Sequence, residues 1–471
     1  MTRRPGTDSI RHGCVERSVP LSKSTVEALE TVVTEGVSGT PLAPIRDRES
    51  NVSAMRTPTA VLDLEISGKF AELNDIGDFA GALVLFRLHG RPLGWGAAAV
   101  SDGRLDRGAL VRQLLEQHAW SCALPLAERA VHSGIPPRAI DVGSMLLSQP
   151  ASVPSGPLVT VAVCSRTPAA QLQPCLDSLI ALDYASLDLV LIDASDDRTR
   201  VEALIRNQYP TIRYSSAPGA GAAPRRAVSE CRGDVLALTH GDAVVDRRWV
   251  SRLVSVFLAD PEVMTVNGLT LPRSIEPPMR TALPAGAPFC REWSRVEVDG
   301  SHADGSMQNV LERAGANVAF WQPGSSVAGP YTHVFEPAAI VRGASTSFPS
   351  IAEARRVPMT HATRAVDLAA GLQPITDATS ADDLVLHVTW SGASVGTAHL
   401  THHGGVVSPL WIADAIAQQL TVEVLDARLG VGEHVCRALL TADLARHVVG
   451  RLGIDARSAQ AASPKKGVRA A

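Results

Sequence analysis

Three short polar runs hold the side chains that could do chemistry together. They are Ser165-Arg166-Thr167, Asp193 with Ser195, Asp196 and Asp197, and His240-Gly241-Asp242. Each follows an apolar run. A carboxylate at Asp193 can accept hydrogen bonds from a base or a sugar. The guanidinium groups of Arg166 and Arg225 can offset phosphate charge. Asp242, with His240 beside it, can ligate a divalent cation, and oxygen-rich sites suit Mg2+ or Mn2+. Plainer readings stand next to these. Asp196 and Asp197 read equally well as solvated loop carboxylates, and Ser195 as a turn former. His402-His403 sits in a Gly-flanked stretch and reads as a surface turn, because no further ligand cluster accompanies it.

The elements that must position these groups follow from hydrophobic patterning. Leu158–Cys164, Leu187–Ile192, Ile212–Tyr214, Val235–Leu238 and Val263–Val266 read as strands, with helical stripes between them. One such stripe is Leu172, Cys175, Leu176, Leu179 and Ile180. Alternating strands and helices predict a doubly wound, mostly parallel sheet. Ligands bind such sheets at the carboxyl ends of the strands, where all three polar runs fall. Val235–Trp249 is the organising stretch: a buried strand, an acidic turn, then a helix with Asp246 expected as its N-cap. Phe335–Val341 reads as a last strand.

Two smaller units lie on either side of this stretch in the sequence. Leu83–Gly94 (LVLFRLHGRPLG) resembles Leu384–Gly396 (LVLHVTWSGASVG), and a Gly-x-x-x-Gly follows the strand in each. A turn and a helix come next in both, with Asp106 capping the first helix. The pattern predicts a degenerate internal repeat. The expected organisation is a flexible segment 1–57 holding one possible helix (Thr25–Val33), an α+β unit 58–150, a linker across Ser148–Pro157, a central α/β domain 157–345, a second α+β unit 358–455 and a disordered tail 456–471.

Composition narrows the class. The chain has 471 residues, enough for two to four domains at about 150 residues each, and 45% are hydrophobic. A formal net charge of −4 gives no global field favouring nucleic acid. The seven cysteines (Cys14, Cys122, Cys164, Cys175, Cys231, Cys290, Cys436) form no C-x-x-C pair. An odd, scattered set fits free thiols in a reducing compartment. No apolar run reaches the roughly 18 residues needed to span a bilayer. These features predict a cytoplasmic protein and leave peripheral contact with a membrane open. Gly219-Ala220-Gly221 does not make a dinucleotide fingerprint, and there is neither a Walker A sequence nor a Gly-x-Ser-x-Gly elbow.

The order of several segments is more specific than any one motif. PLVTVAVCSR, CLDSLIALDY, LDLVLIDAS, GDVLALTHGDAVVDRRWV and DPEVMTVNGLTLP, followed by GANVAF and VFEPAAIVR, resemble successive parts of family-2 glycosyltransferases with the GT-A fold. The resemblance runs from Pro157 to Arg342, and actinobacterial members of this kind carry a flanking unit similar to residues 58–130. It implies a nucleotide-sugar donor, an acceptor the sequence does not name, a divalent metal on the diphosphate, and inversion at the anomeric carbon. By position, Ser165 and Arg166 would line the nucleotide and Asp193 would meet the base. Arg225-Arg226 stands where an Arg–Asn pair is usual.

Asp242 would hold the last place of the acidic metal motif, which here reads His-Gly-Asp. The acid that serves as general base in the family has no counterpart, because Trp321–His333 contains no acidic residue. His333 is the one candidate there that titrates near neutral pH. A second reading therefore stands beside the enzyme: a catalytically inactive relative that binds a nucleotide, a glycan or a partner.

Overall fold

The computed structural model describes residues 59–67, 76–79, 81–133, 155–272, 274–275, 296–299, 317–322, 332–343, 360–378, 381, 383–401, 406–429 and 432–452. The expected flexible segment 1–57, most of the linker, the His402-His403 turn and the tail 456–471 lie outside them. The described residues form a mixed α/β fold with three sheets among them.

The first sheet holds β1 (Thr59–Glu65), β2 (Gly81–Leu88), β3 (Arg91–Ser101) and the two-residue β4 (Arg104–Leu105). Helix α1 (Arg107–Gln113) runs on through a π turn, and α2 (Ala123–Ser133) follows. Asp106 caps α1, its Oδ1 accepting from Ala109 N at 2.9 Å.

The central region alternates: β5 (Val159–Ser165), α3 (Ala169–Ile180), β6 (Leu187–Asp193), α4 (Arg198–Gln208), β7 (Ile212–Ser216), α5 (Ala223–Glu230), β8 (Val235–His240), β9 (Val244–Val245) and α6 (Trp249–Ala259). Then come β10 (Val263–Pro272), β11 (Ser274–Ile275), β12 (Val296–Asp299), β13 (Val318–Trp321) and β14 (Thr332–Gly343). The last unit has β15 (His361–Asp367), β16 (Asp383–Trp390), β17 (Ala393–Thr401), α7 (Pro409–Gln419), α8 (Thr421–Leu429) and α9 (Glu433–Leu452).

The central sheet runs β12-β14-β10-β13-β8-β5-β6-β7, with β9 added on β14. β7, β6, β5 and β8 are mutually parallel, and β13 enters antiparallel between β8 and β10. Both faces are covered, which is why these strands read as largely apolar runs. Side chains alternate between two cores. Val159, Val161 and Val163 pack with Leu172 and Leu176 of α3 and Trp249 and Leu253 of α6. Ala162, Val190, Leu236 and Leu238 pack with Ala223 and Ala227 of α5 and Phe320 of β13.

The two outer units share one topology. β1 and β15 are parallel to β2 and β16, which are antiparallel to β3 and β17. Thr59 faces Gly81 and His361 faces Asp383, and the second pairing loses register after Phe86 in one unit and after Val388 in the other. Both hairpins turn on two positive-φ residues, His89-Gly90 (53°, 85°) and Ser391-Gly392 (49°, 80°), as tight hairpins require. In each, the acid ending the first strand accepts turn amides: Glu65 from His89 N (2.8 Å) and Gly90 N (2.6 Å), Asp367 from Ser391 N (2.9 Å). In each, a helix glutamine clamps the third strand: Gln113 on Ala97 N and O, Gln419 on His399 N and O.

Separated in the sequence by the central region, the two units meet in space. α2 packs against α7 and α8. Arg437 of α9 stacks over the Trp120 ring at 3.9 Å, and His447 of α9 hydrogen-bonds Ile66 O at 3.0 Å. The first sheet also joins the central region, since β11 adds antiparallel to β1. Among the described residues no helix is long and apolar enough to cross a membrane.

One local expectation is corrected. Asp246 does not cap α6, which begins at Trp249 with Arg248 in the cap position. The Asp246 carboxylate closes a tighter turn instead, Oδ1 accepting from Arg248 N at 2.9 Å, while Oδ2 takes the Arg87 guanidinium at 2.9 Å.

Candidate functional site

The parallel register brings the polar strand ends together. Ser165 ends β5 and faces Asp193, which ends β6. His240 ends β8 and faces Cys164, on the other side of β5. Ser165, Asp193 and His240 thus occupy one edge across three adjacent strands, and Asp242 follows in the turn. Arg166 is exposed just beyond Ser165. Arg225 is exposed on α5, which packs on β5 and β6.

Asp193 is 1% exposed, and both its oxygens are in use. Oδ1 accepts from Ser195 N at 2.8 Å, and Oδ2 accepts from the Tyr214 hydroxyl at 3.0 Å. Burial, reinforced by the Asp193 charge, pushes Tyr214 up to about 12, so it stays a donor. A carboxylate offers about four lone-pair positions, so Asp193 keeps capacity for a ligand. Arg198 ties the loops after β6 and β7 by donating to Ser195 O (3.3 Å) and Ala217 O (2.8 Å). Ser195 Oγ is buried at this edge without a partner. Asp196 is exposed, in keeping with a solvated loop carboxylate.

Tyr214 and Arg198 were not among the residues expected here. Tyr214 offered one signal, a phenol in a strand whose end falls beside Asp193; Arg198 offered none.

Ser165 is 2% exposed and its Oγ accepts from Thr167 N at 2.9 Å. Gly241 packs against it so closely that a Cβ there would lie 2.1 Å from Ser165 Oγ and 2.8 Å from Leu172 Cδ2. This accounts for the glycine in the middle of His240-Gly241-Asp242. Gly241→Asp, which would restore an acid at that place, is expected to destabilise the fold by about 1–3 kcal/mol through overpacking. A urea melt checks it; an unchanged midpoint would show that the turn relaxes freely.

His240 is held below the ordinary imidazole range, first by burial, with the Asp242 charge opposing. It is therefore neutral near pH 7, the form that ligates metals. Among the described residues no group of three or more His, Cys, Asp or Glu could hold a metal ion. His240 and Asp242 supply two donors at most. A cation here would need its other ligands from water and from a bound diphosphate, as Mg2+ commonly does.

No curated protein matches the chain. Solved structures similar to it include the two that follow. One is the mannosyltransferase PcManGT from Pyrobaculum calidifontis in complex with GDP-Man and Mn2+, at 19% identity over 51% of this chain and 69% of that one, with a TM-score of 0.28. The other is a mycobacterial protein, at 16% identity over 41% of this chain and 68% of that one, with a TM-score of 0.27. The α/β architecture resembles the GT-A glycosyltransferase fold, and residues 159–281 match the family described as Glycosyl transferase family 2.

Proposed function

We propose that this protein is a glycosyltransferase that takes its sugar from a nucleotide-sugar donor held at the edge formed by β5, β6 and β8. The carrying observation is the convergence of Ser165, Asp193 and His240 on that edge, within the segment that matches the family. Asp193 accepts a hydrogen bond from the base. Ser165 fixes the loop bearing Arg166, whose charge, with that of Arg225, offsets the diphosphate. His240 and Asp242 would hold Mn2+ or Mg2+. When bound, the ion would offset charge on the departing diphosphate. Transfer proceeds with inversion to an acceptor that the site does not identify.

The second reading keeps donor binding and loses turnover. It is favoured by the single carboxylate in His240-Gly241-Asp242 and by the absence of an acid in Trp321–His333. The side chain of His333 lies outside the description, so the general base is left unassigned. Thermal shift with nucleoside diphosphates, with and without Mn2+, tests donor binding. A coupled assay of nucleoside diphosphate release tests turnover. Stabilisation without release supports the binding protein; neither signal removes both readings.

Proton competition gives a further expected result. His240 is lowered from 6.5 in the folded state. Above pH 6.5 it is neutral whether folded or unfolded and adds no pH dependence. As pH falls through 6.5 the unfolded chain takes the proton first, so stability declines until the lower folded value is passed. Mn2+-dependent nucleotide binding should therefore persist at pH 6.5 and fail only further down. Melts and titrations from pH 5 to 8 check this. In His240→Gln both slopes should vanish, and their persistence would assign them to another group.

A further inference from the structure

A cavity of about 330 Å³ opens between the first sheet and the central sheet. Its charged lining is Asp63 and Glu65 of β1, Arg87 of β2, Asp246 and Arg247 after β9, and Arg342 of β14. The volume is at the lower end of small-molecule sites, about 300–1,000 Å³. Formal charges cancel across these six residues, but their hydrogen-bonding capacity does not.

Every carboxylate oxygen already accepts a bond from a guanidinium or an amide. Asp63 Oδ2 takes Arg87 at 2.5 Å, and Oδ1 takes Arg342. Asp246 Oδ1 takes Arg248 N and Oδ2 takes Arg87. Glu65 Oε1 takes Ser67 N and His89 N, and Oε2 takes Gly90 N. The guanidinium groups are not used up. Arg342 spends only Nη2, on Asp63, and its side chain is 35% exposed. Arg247 is exposed, and its side chain has no partner among the described residues. Arg87 spends both terminal nitrogens, and its Nε is buried without a partner. What the cavity still offers is donors carrying positive charge.

We infer that this cavity binds a small molecule bearing an oxyanion, a carboxylate or a phosphate, with Arg342 and Arg247 as its donors. Asp63 and Arg87 set the position of Arg342 rather than touching the ligand. Burial lowers the Arg342 pKa, although a third of the side chain still meets solvent. The cavity shares no lining residue with the donor edge and does not depend on the transferase reading.

Calorimetry on the full chain tests it with hexose-sized probes: glucose 6-phosphate and glucuronate, with glucose as the neutral control. At least one charged sugar should bind and glucose should not; which one binds identifies the oxyanion as phosphate, carboxylate or either. Arg342→Gln should weaken binding about tenfold or more, the loss of one charge-assisted hydrogen bond. That change also strips a partner from Asp63, so Arg247→Gln, at an exposed position, is the second variant and should weaken binding several-fold with an unchanged melting temperature. Arg166→Gln, at the donor edge, should leave binding intact. Heat from glucose equal to that from the acids, no heat from either acid, or loss in Arg166→Gln with no effect of the two cavity variants would each overturn the inference.

Discussion

Asn317→Ala should cost about 3–5 kcal/mol, among the largest losses any single side chain here can produce. Asn317 is 4% exposed and uses its whole amide. Its Nδ2 donates to Leu269 O (3.0 Å) and Ala339 O (2.8 Å), and its Oδ1 accepts from Trp249 Nε1 (2.8 Å). Its backbone carbonyl accepts from Gly268 N at 3.1 Å. One residue thereby joins β10, β14 and the first turn of α6. Gly268 permits the approach, since a Cβ there would lie 2.1 Å from Ala339 O. Alanine would strand an indole N–H and remove a donor from two carbonyls where no water reaches. Each stranded group costs about 1–3 kcal/mol. Trp249→Phe, which removes one of these bonds, should cost less. Urea denaturation followed by circular dichroism measures both. A loss below about 1 kcal/mol for Asn317→Ala would mean that the surroundings repack around the gap.

The second large effect concerns affinity. Asp193→Ala should weaken nucleoside diphosphate binding by about 10- to 100-fold, the value of a charge-assisted hydrogen bond of roughly 1.5–3 kcal/mol. The structure adds a complication, because Asp193 also holds Ser195 N and Tyr214. Tyr214→Phe separates the two roles. It removes one internal hydrogen bond and leaves the carboxylate in place, so it should reduce affinity far less. If the two variants weaken binding equally by calorimetry, Asp193 acts by shaping the loop and does not meet the base. If neither changes affinity, the nucleotide does not lie at this edge.

Much of this architecture is written in local patterning. A strand buried on both faces must be apolar at most positions, so β5, β6 and β8 declare themselves in seven residues or fewer. Their polar ends follow from the same logic, because a parallel sheet places all its carboxyl ends on one edge. The resemblance between Leu83–Gly94 and Leu384–Gly396 falls on the hairpins β2–β3 and β16–β17 and their positive-φ glycine turns. The acids that receive the turn amides, Glu65 and Asp367, are no part of that resemblance.

What the sequence could not give is pairing over distance. Arg87 stands inside an apolar strand and Asp63 inside another, which marks both as buried charges without naming their partners. Only folding shows that Arg87 reaches Asp246 across 159 positions and that Arg342 reaches Asp63. That network lines a cavity with surplus donors. The meeting of the two outer units through α2, α7 and α8 was equally invisible, since helical stripes show that a face is buried but not against what. Periodicity is a local property set by backbone geometry, and one strand or helix is enough to display it. An ion pair or an interface is a coincidence of distant residues in space, and only the complete chain trace decides it.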